Sequence, residues 1–173
     1  PAGADLSKYE KPYGDYRRFV ADQIVRVIKD ADANLQPAHL GAARGTGSIN
    51  INRRVRGTAT APPAVGRNPQ GPVDRDLIVF RIDDAEGRPL AVLANFQAHG
   101  TVMGFENKLA SPDWPGMARK TVEDAFPGAL CLYFQGAAGN QGPIEGFTGD
   151  PEVAHRLGRI LGLQAAALAA QID

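Results

Sequence analysis

Two apolar runs separated by a short turn constrain the fold of this chain more than any other feature. The first is DLIVFRI, from Asp76 to Ile82, and the second is PLAVLANFQAH, from Pro89 to His99. Both runs are rich in β-forming residues, and the intervening DDAEGR has the acidic residues and glycine of a turn, so together they predict a β-hairpin. Because neither run alternates cleanly with polar residues, we expect the sheet to be covered on both faces.

Three segments predict helices. Between Tyr13 and Ala33, apolar residues recur at three- and four-residue steps, which is typical of an amphipathic helix that packs on a core. Asp113 and Asp150 each precede a proline by one or two residues, so each combines a capping side chain with a proline in the first turn. These two positions therefore predict the starts of two further helices.

The order of elements indicates the class of fold. It runs helix, strand, loop, hairpin, helix, strand, helix, with ALCLYFQ at 129–135 predicted as a central strand. This order favours an α/β fold with a mixed β-sheet sandwiched by helices. A length of 173 residues predicts a single domain or a fragment of a larger one. Proline, glycine and small residues dominate 57–72, which we predict to be a surface loop.

Composition excludes several classes of protein. The 19 basic and 19 acidic side chains cancel, so we expect no broad positive surface for nucleic acid. The most apolar segment, ILGLQAAALAA, is about half the ~20 residues that a transmembrane helix needs. The lone cysteine, Cys131, lies in an apolar run, which predicts a small buried core residue and not a nucleophile.

His99 is the first candidate for chemistry. It ends an apolar strand and precedes Gly100, where the chain can turn and the imidazole can face a cleft. A ring nitrogen there suits metal ligation or proton transfer, while a structural hydrogen bond is the alternative. The spacings to His39 and His155 form no local metal motif. Asp113 also has two interpretations, as a helix cap or as a site residue.

Two further segments are candidates for binding. NRRVR, at 52–56, places three arginines in four positions, and arginine is suited to carboxylates and phosphates; a solvated basic turn is the alternative. FQGAAGNQGP, at 134–143, is a glycine-rich loop after a strand, but it lacks the spacing and the lysine of a nucleotide-binding loop. We expect this loop to shape a pocket.

Three separated motifs together resemble one family. VDRDLIVFRIDDAEGRPLAVLANFQAHGT, SPDWPGMARKTVE and FQGAAGNQGP, in this order, are similar to the neutral/alkaline non-lysosomal ceramidase family over about Ser48 to Pro143. The resemblance implies part of a larger ceramidase-like catalytic domain, secreted or periplasmic, that uses zinc to hydrolyse an amide of a lipid-like substrate. In that family His99, in the HGT motif, would ligate zinc. Arg53 would bind the polar part of the substrate, and Asp113, with Gly116, would line the site.

The chain also departs from the family pattern. Asn140 stands where relatives have an acid, and Gly142 where family ceramidases have an active-site serine, so ceramide itself is disfavoured as substrate. The other metal ligands of the pattern would lie outside the chain, which predicts an internal fragment that is inactive alone. Two alternatives remain, a hydrolase of esters or other carbonyl compounds, and a noncatalytic module that binds a small anionic ligand or a partner.

Overall fold

The computed structural model describes residues 7–58, 60–105, 107–108 and 110–172, with 7–12 described as backbone only. The chain divides at Pro37 into two compact units. The first unit contains helix α1 (Ser7–Ala33), which begins before the predicted start at Tyr13. Its apolar side chains are exposed, with Tyr16 at 63% and Ile28 at 62%. No described residue of the first unit covers this face, and its packing on a core stays a prediction.

The second unit contains the remaining elements. In chain order they are β1 (Ala38–Thr46), β2 (Asn50–Val55), β3 (Ala64–Asn68), β4 (Asp76–Asp84), β5 (Pro89–Phe96), α2 (Asp113–Ala125), β6 (Leu130–Gln135), β7 (Gln141–Pro143) and α3 (Pro151–Ala169). Asp150 caps α3 as predicted, since its side chain accepts a hydrogen bond from the Glu152 amide at 2.9 Å. α2 begins at Asp113, but the residue in the cap position is Pro112.

The larger sheet has the strand order β1-β4-β5-β6. β1, β4 and β5 are antiparallel, and β6 runs parallel to β5, so the sheet is mixed. The predicted hairpin is β4 and β5, and the predicted α/β class is confirmed. The prediction of a central strand at 129–135 is wrong, because β6 pairs only with β5 among the described strands and forms an edge.

A smaller sheet, of order β3-β2-β7, corrects the surface-loop prediction for 57–72. β3 lies inside that segment and pairs antiparallel with β2. Its residues, AVGRN, include glycine and charge, so the strand is defined by its hydrogen bonds to β2 and not by an apolar pattern. β7, at the end of the glycine-rich loop, pairs with the other edge of β2.

α2 and α3 pack together on one face of the larger sheet. Their buried side chains, with Trp114 and Leu157 completely buried, contact Val79, Val92 and Cys131 in one core. Burial raises the pKa of the Cys131 thiol to about 11, in agreement with a core role. On α3, a Cβ atom at Gly158 would overlap the carbonyl oxygen of Trp114, so this glycine permits the close approach of the helices.

The opposite face of the larger sheet is exposed and apolar. Its side chains alternate with the buried ones along each strand, and the most exposed are Leu40 at 67%, Leu130 at 67% and Phe134 at 50%. The expected cover on the second face of the hairpin is not provided by the described residues of this unit. The apolar runs of the hairpin correctly predicted that both faces of the sheet are apolar. They did not indicate which face the helices cover.

Candidate active site

Strand β2 organises the candidate site by holding the glycine-rich loop along one edge. The backbone amide of Arg53 donates to the carbonyl oxygen of Asn140 at 2.8 Å. Ile51 pairs with Gly142 in the β2–β7 ladder. Two of the loop positions singled out from the sequence are thus brought beside Arg53 by backbone hydrogen bonds.

The side chains of Arg53 and Arg54 both reach the same loop carbonyl. Arg54 donates to the Gly139 oxygen from Nε at 3.1 Å and from Nη2 at 2.7 Å, while Arg53 Nη2 lies 3.4 Å from it. Burial, followed by the charge of Arg54, lowers the pKa of Arg53. Arg53 Nε is a buried donor without a partner among the described residues. Buried donors without a partner are rare in folded proteins, so this atom is an unusual feature of the site.

His99 lies next to this loop. Its backbone amide donates to the Gln141 carbonyl at 3.5 Å, and its Nδ1 lies 3.5 Å from Nε2 of Gln135. Burial, followed by the charge of Arg53, lowers the pKa of His99 below 6.5, and a hydrogen bond with the Ala138 backbone opposes this shift. The imidazole is therefore neutral at pH 7, the form that ligates metals and accepts protons.

A cavity of about 100 Å³ lies beside Arg53. Its lining also includes Arg67, Thr101, Gly142 and Phe147. A Cβ atom at Gly142 would lie 3.5 Å from Cδ of Arg53, an ordinary contact distance, so the glycine leaves space without being required by packing. Neither Arg67 nor Phe147 was singled out from the sequence, because only the folded β3 and the loop after β7 bring them to Arg53.

Asp113 lies apart from the residues around Arg53. Its carboxylate accepts hydrogen bonds from the Met103 amide at 2.8 Å and from the Trp114 amide at 2.7 Å. Its backbone has a φ of 53°, in the left-handed region. A Cβ atom at Gly100 would lie 3.5 Å from Cβ of Asp113, so the aspartate contacts the segment that follows His99. This geometry favours a positioning role for Asp113.

Buried amide side chains behind the loop were missed in the sequence. Asn50 Nδ2 donates to the Asp74 and Gln97 carbonyls at 2.7 and 2.9 Å and to Oε1 of Gln141 at 3.0 Å. Gln141 also donates to the Ala137 carbonyl at 3.2 Å. Asn50 and Gln141 are 0% and 2% exposed. The sequence did contain a sign of them, since ININ alternates isoleucine with asparagine. A buried strand tolerates an asparagine side chain only when that side chain has hydrogen-bond partners.

Comparison with known proteins gives the family. The sequence model of the neutral/alkaline non-lysosomal ceramidase N-terminal domain matches residues 14–141. The chain belongs to this ceramidase family. The match begins about thirty residues before the stretch that carried the resemblance and ends within the glycine-rich loop.

Curated relatives and solved structures agree with the assignment. Neutral ceramidase of Pseudomonas aeruginosa is 32% identical over 128 residues, and neutral ceramidase A of Dictyostelium discoideum is 34% identical over 107 residues. These matches cover 72% and 57% of this chain but only 19% and 14% of the relatives' lengths. The crystal structure of the Pseudomonas aeruginosa enzyme matches with a TM-score of 0.63 at 26% identity, over 87% of this chain and 25% of that chain.

A second solved structure, a ceramidase complexed with C2, matches with a TM-score of 0.64 at 26% identity. It covers 87% of this chain and 24% of that chain. The architecture that carries Arg53, His99 and the glycine-rich loop is therefore one that solved ceramidases share.

The fit of a metal ion to this site depends on His99. Its neutral, partly exposed imidazole fits the requirement for one nitrogen ligand. Within 7–58, 60–105, 107–108 and 110–172, no three histidine, cysteine or acidic side chains are grouped as a metal ion requires. A catalytic zinc site usually has three protein ligands, so His99 by itself does not make such a site.

Proposed function

We propose that this chain forms part of the active site of a zinc-dependent hydrolase that cleaves the amide bond of a ceramide-like N-acyl lipid. The observation that carries the proposal is the convergence of three segments that are separated in the sequence. Arg53, His99 and the loop with Asn140 and Gly142 meet around β2, although they lie far apart in the sequence. Membership of the ceramidase family supports the reaction class.

His99 has the protonation state that the proposed role requires. We assign it as one zinc ligand, with the remaining ligands contributed from outside the described residues. When bound, zinc supplies a Lewis acid for hydrolysis of a carbonyl derivative. The low pKa of His99 keeps a ring nitrogen unprotonated in neutral solution, since burial and the charge of Arg53 both disfavour the imidazolium ion.

Arg53 and the loop would bind the substrate. The guanidinium of Arg53 lines the 100 Å³ cavity and has a buried Nε donor without a partner among the described residues. We assign it to the carbonyl or hydroxyl oxygen of the substrate, since a charged donor in a partly buried site binds such oxygens strongly. Asn140 and Gly142 would form the wall of this pocket. Asp113 would hold the segment that follows His99.

The test is substitution of His99 in the full-length protein. His99→Ala is expected to abolish bound zinc and to lower release of fatty acid from the N-acyl lipid that the parent protein hydrolyses by at least about a hundredfold. His155→Ala is the matched control, since that imidazole is exposed on α3 and does not line the cavity beside Arg53. Unchanged zinc content and unchanged hydrolysis in His99→Ala would disprove the assignment.

One observation favours a second function. The loop has Asn140 and Gly142 where the family resemblance leads one to expect an acid and a serine. A noncatalytic module that binds a small anionic ligand through Arg53 would tolerate both residues. Its binding would survive a chelator and be lost in Arg53→Gln, whereas hydrolysis would stop on chelation. A screen of amide and ester substrates separates an amidase from an esterase.

We also propose that the protein is secreted or periplasmic, as the family resemblance implies. None of the helices in the described part of the chain has the length and apolarity needed to cross a membrane. Fractionation of cells that express the full-length protein, followed by immunoblotting of medium, periplasm and cytoplasm, tests the location. Recovery only from the cytoplasm would contradict it.

A further inference from the structure

A second cavity, of about 620 Å³, lies against the β2–β3 hairpin. We call it the arginine cavity, and its lining residues are Asn52, Arg54, Val55, Arg56, Arg67, Asn68, Gln70, Gly71 and Pro72. The cavity has none of the residues assigned above to catalysis or substrate binding. Its volume is within the range of small-molecule sites.

The charges around the arginine cavity are unbalanced. Arg54, Arg56 and Arg67 line it, and its lining includes no aspartate or glutamate. Among the described residues, none of these three guanidinium groups has a carboxylate within 4.0 Å, although many other arginines of the chain do. A cleft lined by charges of one sign concentrates counterions, so this cavity attracts anions.

The walls of the cavity are held in place by hydrogen bonds. The side-chain amide of Asn68 donates to the Arg54 carbonyl at 2.8 Å, and that of Asn52 donates to the Pro72 carbonyl at 2.9 Å. Arg54 is fixed by its bonds to Gly139. Side chains that are already fixed lose little conformational entropy when a ligand binds. The wall of the cavity formed by Arg54 is therefore preorganised.

A β-bulge directs Arg67 into the cavity. The β2–β3 pairing shifts between Asn52, opposite Asn68, and Arg54, opposite Val65, so the one residue between them on β2 lies opposite two residues of β3, Gly66 and Arg67. Bulges of this kind redirect a side chain. As a result Arg67 lines both the arginine cavity and the smaller cavity beside Arg53.

We propose that the arginine cavity binds a phosphate monoester. A phosphate monoester has a charge near −2 and three acceptor oxygens, which suit three guanidinium groups better than a carboxylate does. The phosphate belongs to a soluble metabolite or to a lipid headgroup, and the chemistry of recognition is the same for both. This site does not depend on the hydrolase function, because it requires neither zinc nor His99.

The experiment measures binding to the full-length protein by isothermal titration calorimetry at low salt. The probes are glycerol 3-phosphate, vesicles that contain phosphatidic acid, and acetate as the carboxylate comparison. The variants are Arg56→Gln and Arg67→Gln. Arg159→Gln is the matched control, because that arginine is exposed on α3 and has no carboxylate within 4.0 Å among the described residues.

We expect each cavity variant to weaken phosphate binding about fivefold to tenfold, Arg159→Gln to change it less than twofold, and acetate to bind more weakly. Saturable binding of glycerol 3-phosphate would identify the ligand as a soluble phosphate. Binding of the vesicles but not of glycerol 3-phosphate, weakened by the same two cavity variants, would identify it as a lipid headgroup. Absence of binding to both phosphate probes, or equal loss in all three variants, overturns the proposal. Hydrolase assays of the same variants report separately on the proposed function.

Discussion

The indole Nε1 of Trp114 donates a hydrogen bond to the backbone carbonyl of His99 at 2.9 Å. Trp114 is completely buried at the start of α2 and packs edge-on against Tyr133, with ring centroids 5.2 Å apart. The backbone of His99, three residues after the end of β5, is therefore held by the first turn of α2.

Trp114→Phe tests this relationship. The smaller ring keeps most of the apolar contact but removes the donor, so we expect a loss of about 1 to 2 kcal/mol in the free energy of unfolding. The His99 carbonyl keeps its bond from the Thr101 amide at 3.0 Å, which limits the loss. Urea denaturation measures the change. Trp114→Ala, which also leaves a cavity, should cost about 3 to 5 kcal/mol, and equal stability of all three proteins would contradict the argument.

A series at Asp113 separates hydrogen bonding from backbone strain. Asp113→Ala removes the acceptor for Met103 and places alanine at a φ of 53°, so we expect a loss of about 2 to 4 kcal/mol in the free energy of unfolding. Asp113→Gly removes the same acceptor without the strain and should cost about 1 kcal/mol less than alanine. Asp113→Asn retains an acceptor and tolerates the backbone, so it should cost least. Thermal or urea unfolding measures the order. An asparagine variant no more stable than the glycine variant would contradict the hydrogen-bond account, and a glycine variant no more stable than the alanine variant would contradict the strain account.

In the metal-free protein, the titration of His99 should depend on Arg53. Burial and the charge of Arg53 lower the pKa of His99 from 6.5, so we expect the NMR titration midpoint below 6.5 and an upward shift in Arg53→Gln. The unfolded chain takes up this proton first as the pH falls. The free energy of unfolding should therefore decrease between 6.5 and the folded pKa, and His99→Asn should remove that part of the decrease. A midpoint above 6.5 would contradict the assigned cause.

Substitution of Asn50 tests the buried amides behind the glycine-rich loop. Asn50→Leu removes a donor shared by the Asp74 and Gln97 carbonyls and by Gln141, so we expect a loss of about 3 kcal/mol in the free energy of unfolding. Asn50→Asp has the same shape but presents a carboxylate to those oxygens and should be less stable at pH 7 than at pH 4. The reverse pH trend in that variant, measured by urea unfolding, would contradict this account.

Gly142→Ser tests whether the loop has space for the side chain that the family resemblance implies. The nearest atom to an added Cβ is Cδ of Arg53 at 3.5 Å, so the free energy of unfolding should change by less than about 1 kcal/mol. If the hydrolase proposal is correct, the variant should release fatty acid from an N-acylsphingosine faster than the parent. Gly139→Ser is the control, since an added Cβ there meets nothing within 4 Å. Equal activities in the two variants would exclude a special role for position 142.

Local chemistry explains which elements were predictable. The hairpin of β4 and β5 and the start of α3 at Asp150 follow from residues that are adjacent in sequence, because turn and capping interactions span only a few residues. β3 and the edge position of β6 depend on which strands pair over long distances, and no local pattern determines that. For the same reason the exposed apolar face of α1 could not be distinguished from a buried one.

The candidate site was predictable in part. His99 and Arg53 were selected by their types and by the family resemblance, and the structure brings both to the same loop. Asn50 and Arg67 were not selected. Asn50 acts through partners from three other parts of the chain, and Arg67 reaches its two cavities through a bulge that depends on the β2–β3 register. Both relationships exist only after folding.

Arg67 lines both cavities, so ligand binding in one would be thermodynamically linked to ligand binding in the other. If ligands in both cavities used the guanidinium group of Arg67, that group could not give its full set of hydrogen bonds to both at once. A ligand that recruits Arg67 on one side therefore weakens binding on the other, and the factor is the same in both directions. Through Arg67 on β3, a ligand in the cavity beside Arg53 and an anion in the arginine cavity would each lower the other's affinity.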